Sequence, residues 1–259
     1  MKKIIDSHFH LLALEKKNIS VKEILDQLEV QNWGGGIDIG LSGDDLPKRL
    51  NLLSSYPKVK TATGLGPWAS QQEKPIKEIV DKFIENVKDL PFDFIGEIGL
   101  DYYHNYSKAD RQIELFIRQI DFANTMNKPI IVHNRNSDDD MIKTLNSKKL
   151  NKDSIMHCFS SDEKLLDCAL NNNFYISFAG PITYKNNDQL RKMVFQTPLE
   201  RLLLETDAPY LTPVPLRGKI NTPLNMLYIY KEAAKIKKIP FETLVEAVYA
   251  NFKRVCSLS

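Results

Sequence analysis

The sequence predicts an α/β fold: a TIM (β/α)8 barrel in one domain spanning residues 1–259, with an extra helix at the C-terminal end. Two observations carry that expectation. Eight short apolar runs alternate with longer segments of helical periodicity, the pattern of parallel βαβ units. Polar residues capable of chemistry collect at the C-terminal ends of those runs, where a barrel of this kind builds its site.

The expected strands are Lys3–His10, Gly36–Leu41, Val59–Leu65, Phe92–Ile98, Pro129–His133, Ser154–Cys158, Phe174–Phe178 and Arg201–Glu205. Helical spacing of apolar residues marks Val21–Gln31, Ile76–Val87, Ala109–Met126 and Ser161–Asn171 between them. From Thr222 onward the tail reads as two helices separated by Ile239-Pro240, closing the outer ring. A doubly wound open sheet is the competing arrangement. No GxGxxG follows a strand and no GxxxxGK[ST] occurs, so dinucleotide and P-loop chemistry are not signalled. Candidate residues spread over the first, fourth, fifth, sixth and eighth strands also converge more naturally in a closed barrel.

With 42% apolar residues the chain can bury a sizeable core. Its net charge of +2 neither requires nor excludes a nucleic-acid partner, because metal ions can carry the positive charge that meets phosphate. Cys158, Cys168 and Cys256 are odd in number and form no CxxC pair, which fits a reducing compartment. The N-terminal segment is interrupted by charge and histidine, so it reads as a strand start and not a signal peptide. No run reaches membrane-spanning length. The expectation is a cytoplasmic protein with no membrane partner, acting as a monomer.

In FIGEIGLDYY, from Phe94 to Tyr103, a carboxylate stands inside an apolar strand. Burying it is costly unless a cation or hydrogen-bonding partner compensates. Of five histidines, four fall at strand ends: His8, His10, His133 and His157. Asp207 closes RLLLETD at the eighth strand. Together these groups form a plausible shell for a two-metal centre bridged by Glu97.

Alternation along a strand puts Asp6, His8 and His10 on one face, with Asp6 placed to orient a ring nitrogen. The same rule, with His157 inward, sends Cys158 outward among the helices, as a core residue and not a nucleophile. Asp207 can hold a metal and take a proton from the attacking water. Glu205 shares its face and either supports a ligand or sits in an ordinary salt bridge. His104 reads as a loop residue, and Asp138-Asp139-Asp140 as a helix cap.

The chain resembles the TatD family of metal-dependent deoxyribonucleases, within the amidohydrolase-like group of barrel enzymes. The resemblance rests on five blocks in the family order: DSHFHL at Asp6–Leu11, GEIGLDYY at Gly96–Tyr103, PIIVHNR at Pro129–Arg135, MHCFS at Met156–Ser160 and LLLETDAPYL…RGK at Leu202–Lys219. It implies His8 and His10 on one metal, His133 and His157 on the other, Glu97 between them, and Asp207 as ligand and general base. The ions implied are divalent, among them Zn²⁺, Mg²⁺ and Mn²⁺. The activity implied is phosphodiester cleavage by a metal-activated water, from 3′ ends of DNA, single-stranded substrates included. A deacylase or amidohydrolase attacking a carbonyl would use the same centre. A non-catalytic scaffold would be marked by lost ligands, and none is lost.

The chain also departs from the family pattern. Gly66 stands where a GxHP turn has histidine, Leu12 where aspartate is common, Ser161 in place of glycine, and Thr222 in place of the glutamate of NEP. These positions bear on substrate and turnover and leave the ligand set intact. For substrate, Arg135, Arg217 and Lys219, with Lys185, could meet phosphate oxygens. Trp68, Tyr102, Tyr103, Tyr184 and Tyr210 could stack bases, although packing on the rim is the commoner fate of such rings.

Overall fold

In a computed structural model, residues 3–257 are described, and among them eight strands pair in parallel in chain order. They are β1 (Ile5–Phe9), β2 (Gly35–Ile39), β3 (Val59–Thr63), β4 (Phe94–Asp101), β5 (Ile130–Arg135), β6 (Ser154–Met156), β7 (Phe174–Phe178) and β8 (Leu202–Leu204). The sheet closes just beyond β8, where Phe9 bridges Ala208 in parallel and the His10 amide donates to the Ala208 carbonyl at 2.8 Å. The TIM barrel is therefore present.

Among the described residues ten α-helices surround it: α1 (Leu11–Glu15), α2 (Val21–Val30), α3 (Leu46–Leu53), α4 (Ile76–Val87), α5 (Ala109–Thr125), α6 (Asp138–Ser147), α7 (Glu163–Asn171), α8 (Asp188–Gln196), α9 (Met226–Lys237) and α10 (Phe241–Val255). α4 shows the driving pattern: Ile76, Ile79, Val80, Phe83 and Val87 form one buried stripe against the sheet. α7 begins where the Asp162 carboxylate accepts from the Lys164 and Leu165 amides, two residues later than Ser161. The tail forms α9 and α10 as expected. α10 is anchored by Asn251, which donates to the Leu199 and Leu202 carbonyls, each at 2.8 Å. None of the described helices is long and apolar enough to cross a membrane.

Two departures from the expected boundaries affect the site. β4 continues through Gly99-Leu100-Asp101 because β5 extends alongside it, Gly99 pairing His133 and Asp101 pairing Arg135. Gly99 has φ +144°, and a Cβ there would stand 2.0 Å from the His133 carbonyl oxygen, so only glycine lets β4 approach His133 this closely. β6, in contrast, stops at Met156, leaving His157 and Cys158 beyond the regular strand.

Buried polar groups hold the strand ends. The Gln119 amide brackets Leu65, accepting from its N–H at 2.7 Å and donating to its carbonyl at 2.9 Å. Gln112 does the same for Asp101, at 2.9 and 3.0 Å. Arg49, fully buried on α3, donates to the Asp38 carboxylate at 3.1 Å, the Asp45 carboxylate at 2.9 Å and the Ala62 carbonyl at 2.8 Å. The other Asp38 oxygen accepts from the Leu11 amide at 3.0 Å, tying the network to the residue after His10. Removing the guanidinium strands two carboxylates, one of them fully buried. Arg49→Ala is therefore expected to lower unfolding free energy by about 3–5 kcal/mol, read from the midpoint of a denaturant titration.

Candidate metal centre

Every expected ligand lies at the C-terminal mouth of the barrel. Glu97, only 5% exposed, sits at an irregularity in the β4–β5 pairing between Gly96 and Ile98. Its two oxygens face two different imidazole pairs. Oε2 lies 3.3 Å from His8 Nε2 and 3.7 Å from His10 Nε2. Oε1 lies 3.1 Å from His133 Nδ1 and 3.6 Å from His157 Nε2. Within each pair the nitrogens approach to 3.2 Å. Asp207 closes the first pair, with Oδ1 3.4 Å from His10 Nε2 and 3.7 Å from His8 Nε2. It stands just past β8 at φ +55°, a left-handed conformation that aspartate tolerates better than most residues.

The opposite ring nitrogens say which atoms are free to bind. His10 Nδ1 lies 3.2 Å from the Ile39 carbonyl, His157 Nδ1 3.2 Å from Glu205 Oε1, and His133 Nε2 3.3 Å from Asp101 Oδ2. A carbonyl can only accept, and the two carboxylates accept when ionised, so each of these nitrogens carries the proton. The lone pairs of His10 Nε2, His157 Nε2 and His133 Nδ1 then point at the acid groups in the centre. That is the arrangement metal-binding histidines adopt. His8 Nδ1 is buried with no partner. Two groups, His8-His10-Asp207 and His8-Glu97-His157, bring ligand atoms within 4.8 Å of one another. An N/O donor set of this kind fits divalent first-row ions.

Electrostatics agree. Burial alone would raise the Glu97 carboxyl, but the imidazoles of His157, His133 and His8 outweigh it and hold it well below the usual range. Burial would lower His157, yet Glu97 and Glu205 raise it well above an ordinary imidazole. His133 is raised by Asp101 and Glu97, and His10 by Asp207 and Glu97. For the metal-free protein the signs are definite. The raised histidines stabilise the fold fully below their unfolded value of about 6.5 and lose this as pH rises through the folded values. Glu97 stabilises above its unfolded value of about 4.3 and loses this as pH falls through its depressed one. His8, lowered by burial and by His157, works the other way, but three histidines are raised, so the metal-free melting temperature should fall as pH rises above about 6.5. Metal binding needs neutral imidazoles, so metal-induced stabilisation should grow over the same interval. Thermal melts with and without divalent ion check both slopes.

Two carboxylates support the candidate ligands from outside the centre. Glu205, fully buried, orients His157, as one of its two expected readings held. Asp101 was not anticipated. It bridges His133 to His104, whose Nδ1 lies 2.7 Å from Asp101 Oδ2. The signal was present in GEIGLD, since residues 97, 99 and 101 lie on one face of a strand. His104, expected as a bare loop residue, is thus tied to the centre through one carboxylate. Asp101→Asn and Glu205→Gln are each expected to weaken metal affinity by about 10–100-fold, measured by competition with a chromophoric chelator.

Other expectations are corrected. Asp6 does not orient a ring: its carboxylate accepts from the His8 amide at 3.2 Å, the Thr206 amide at 2.9 Å and the Thr206 hydroxyl at 2.6 Å, joining β1 to the chain beyond β8. Burial pushes its carboxyl well up, against those bonds. Cys158 is not packed outward among the helices. Strand alternation ends with β6, Cys158 has φ +45°, and its thiol is pushed up by burial and by Asp207, Glu205 and Glu97, the carboxylates of the barrel mouth. Asp138, Asp139 and Asp140 fill the first turn of α6 without capping it; Asp138 instead accepts from Asn134 and Ser161.

The substrate candidates sort by exposure and contact. The Arg135 guanidinium lies 3.9 Å over the Tyr103 ring, and that of Arg217 4.2 Å over Tyr184. Lys219 and Lys185 are exposed in loops. Tyr102 and Tyr184 are held by their hydroxyls, to Asp140 at 2.9 Å and the Thr212 carbonyl at 3.1 Å. Tyr210 is 48% exposed and edge-on to His10, with ring centroids 6.0 Å apart.

Comparison with known proteins agrees with this geometry. Residues 5–257 match the family model described as TatD related DNase. The chain is 31% identical to the metal-dependent hydrolase YabD of Bacillus subtilis strain 168, covering 97% of this chain and 98% of that one. It is 31% identical to the metal-dependent hydrolase YcfH of Escherichia coli K12, covering 97% and 95%. The crystal structure of YJJV, a TatD homologue from Escherichia coli K12, superposes with a TM-score of 0.87 at 22% identity, covering 100% and 99%. The chain belongs to the TatD-related family of metal-dependent hydrolases.

Proposed function

We propose that this protein is a deoxyribonuclease that hydrolyses phosphodiester bonds at single-stranded 3′ ends of DNA, using two divalent ions. The observation that carries the reading is Glu97, whose two oxygens each serve a separate histidine pair. His8, His10 and Asp207 would hold one ion and His133 and His157 the other, with Glu97 common to both. Bound there, the ions would lower the pKa of the attacking water and neutralise charge growing on the phosphoryl oxygens.

The chain's own groups supply the rest. Asp207, beside His8 and His10, accepts the proton of the attacking water and returns it to the departing 3′ oxygen. Glu205 and Asp101 keep the His157 and His133 tautomers fixed while charge shifts. Arg135, at the end of β5, and Arg217, in the loop after β8, bind phosphate oxygens of the strand. DNA as the substrate is supported by the description of the matching family model.

The test is cleavage of an end-labelled single-stranded oligonucleotide with Mg²⁺, Mn²⁺ or Zn²⁺ supplied in turn, beside a Glu97→Ala control. A metal-dependent ladder shortening from the 3′ end, absent in the control, is the expected result. Hydrolysis of an acyl or amide substrate by a metal-loaded protein that leaves DNA intact would overturn the reading in favour of a deacylase.

A further inference from the structure

The nuclease reading leaves unexplained a continuous row of rings beside the centre. The indole of Trp68 meets Tyr106 edge-on with centroids 6.5 Å apart; Tyr106 stacks on His104 at 5.2 Å and 25°; His104 meets Tyr103 edge-on at 5.1 Å. The Arg135 guanidinium covers Tyr103 at the end of the row. We propose that this row is a stacking track for the bases of single-stranded DNA next to the scissile phosphate. The proposal rests on the nuclease reading and adds to it the surface that holds the strand.

Three features separate the track from rings that merely pack. The first is position: His104, inside the row, bonds Asp101, which bonds the candidate ligand His133, so the row adjoins the centre. The second is exposure: Tyr103 is 59% exposed, His104 is exposed beside it, and Trp68 and Tyr106 are half-buried. The third is rigidity. The turn carrying Trp68 (Pro67–Gln71) is tied to the loop carrying Tyr106 by a 2.6 Å bond between Ser70 and Ser107. Arg111 fixes the same turn by donating to the Ser70, Gln72 and Lys74 carbonyls. Rigid rings bind at low entropic cost, and ring–base stacking tolerates any base.

Gly66 now has a physical account. A Cβ at this position would stand 2.1 Å from the Trp68 ring. The indole occupies the space a side chain at 66 needs, so this chain carries a stacking surface where the related GxHP turn carries an imidazole. Gly66 is what allows Trp68 to lie there.

The two tryptophans differ enough for fluorescence to read the track. Trp33 is 5% exposed and bonded to Glu29, whereas Trp68 lies at the mouth. Titrating the metal-loaded protein with a short phosphorothioate oligothymidylate should quench tryptophan emission saturably. Tyr103→Ala should weaken binding about tenfold or more, while Tyr228→Ala, on the exposed face of α9, should leave it unchanged. Gly66→Leu, which must displace the indole, should lose both quenching and affinity. Absence of quenching, unchanged affinity in Tyr103→Ala, or equal binding of a blunt duplex would overturn the track. Tighter binding of the matching RNA would overturn DNA as its occupant. These failures are distinguishable from failure of the nuclease reading, because cleavage of the end-labelled strand by the unsubstituted protein is scored separately.

Discussion

Glu97→Gln should lower phosphodiester turnover by about three orders of magnitude or more and reduce bound metal below two equivalents per chain. The substitution keeps shape and removes one negative charge from the point where both histidine pairs converge. The carboxamide offers one carbonyl oxygen and one NH₂ group, and the latter, facing a pair of imidazole lone pairs, can only donate. On that side the variant would offer a cation no lone pair in place of the carboxylate oxygen. The size follows from transition-state charge: metal ions supply several kcal/mol of stabilisation, and each 1.36 kcal/mol is a factor of ten in rate. Metal content by elemental analysis and kcat on the labelled oligonucleotide check the two parts separately.

Asp207→Asn should act differently, lowering kcat by about 10²–10⁴-fold through loss of the proton acceptor. Binding at the His133–His157 side should persist, because among the described histidines the Asp207 carboxylate approaches His8 and His10 and not that pair. The variant should thus retain one tight ion and lose affinity for the second. Isothermal titration with Zn²⁺ or Mn²⁺ would show this as one surviving high-affinity step. Loss of both steps would mean that the two sides are not independent.

Legibility in the sequence followed the range of the interactions. Glu97 was visible because an ionised group inside an apolar strand demands compensation, and His8, His10, His133 and His157 because each ends a strand whose apolar residues identify it. The barrel followed from the same alternation. What escaped depends on contacts between distant segments. The Arg49–Asp38–Leu11 network joins α3, β2 and the start of α1, and no local pattern marks it. α3 and α8 are short, eight and nine residues, so each leaves few turns over which a helical period can repeat. Cys158 was misplaced because alternation holds only while a strand lasts, and β6 ends at Met156. Asp101 was legible in principle but lay past the assumed end of β4; β5, extending beside it, makes it part of the strand. Gly66 showed in sequence only as a missing histidine, and its reason, the indole above it, needed coordinates.

On the proposed reading, two divalent ions would share Glu97 at the mouth of the barrel. Anomalous diffraction from crystals loaded with Zn²⁺ or Mn²⁺ tests it most directly. The expected map has two peaks flanking the Glu97 carboxylate, one beside His8, His10 and Asp207 and the other beside His133 and His157. A single peak, or two peaks neither of which touches Glu97, would contradict the account.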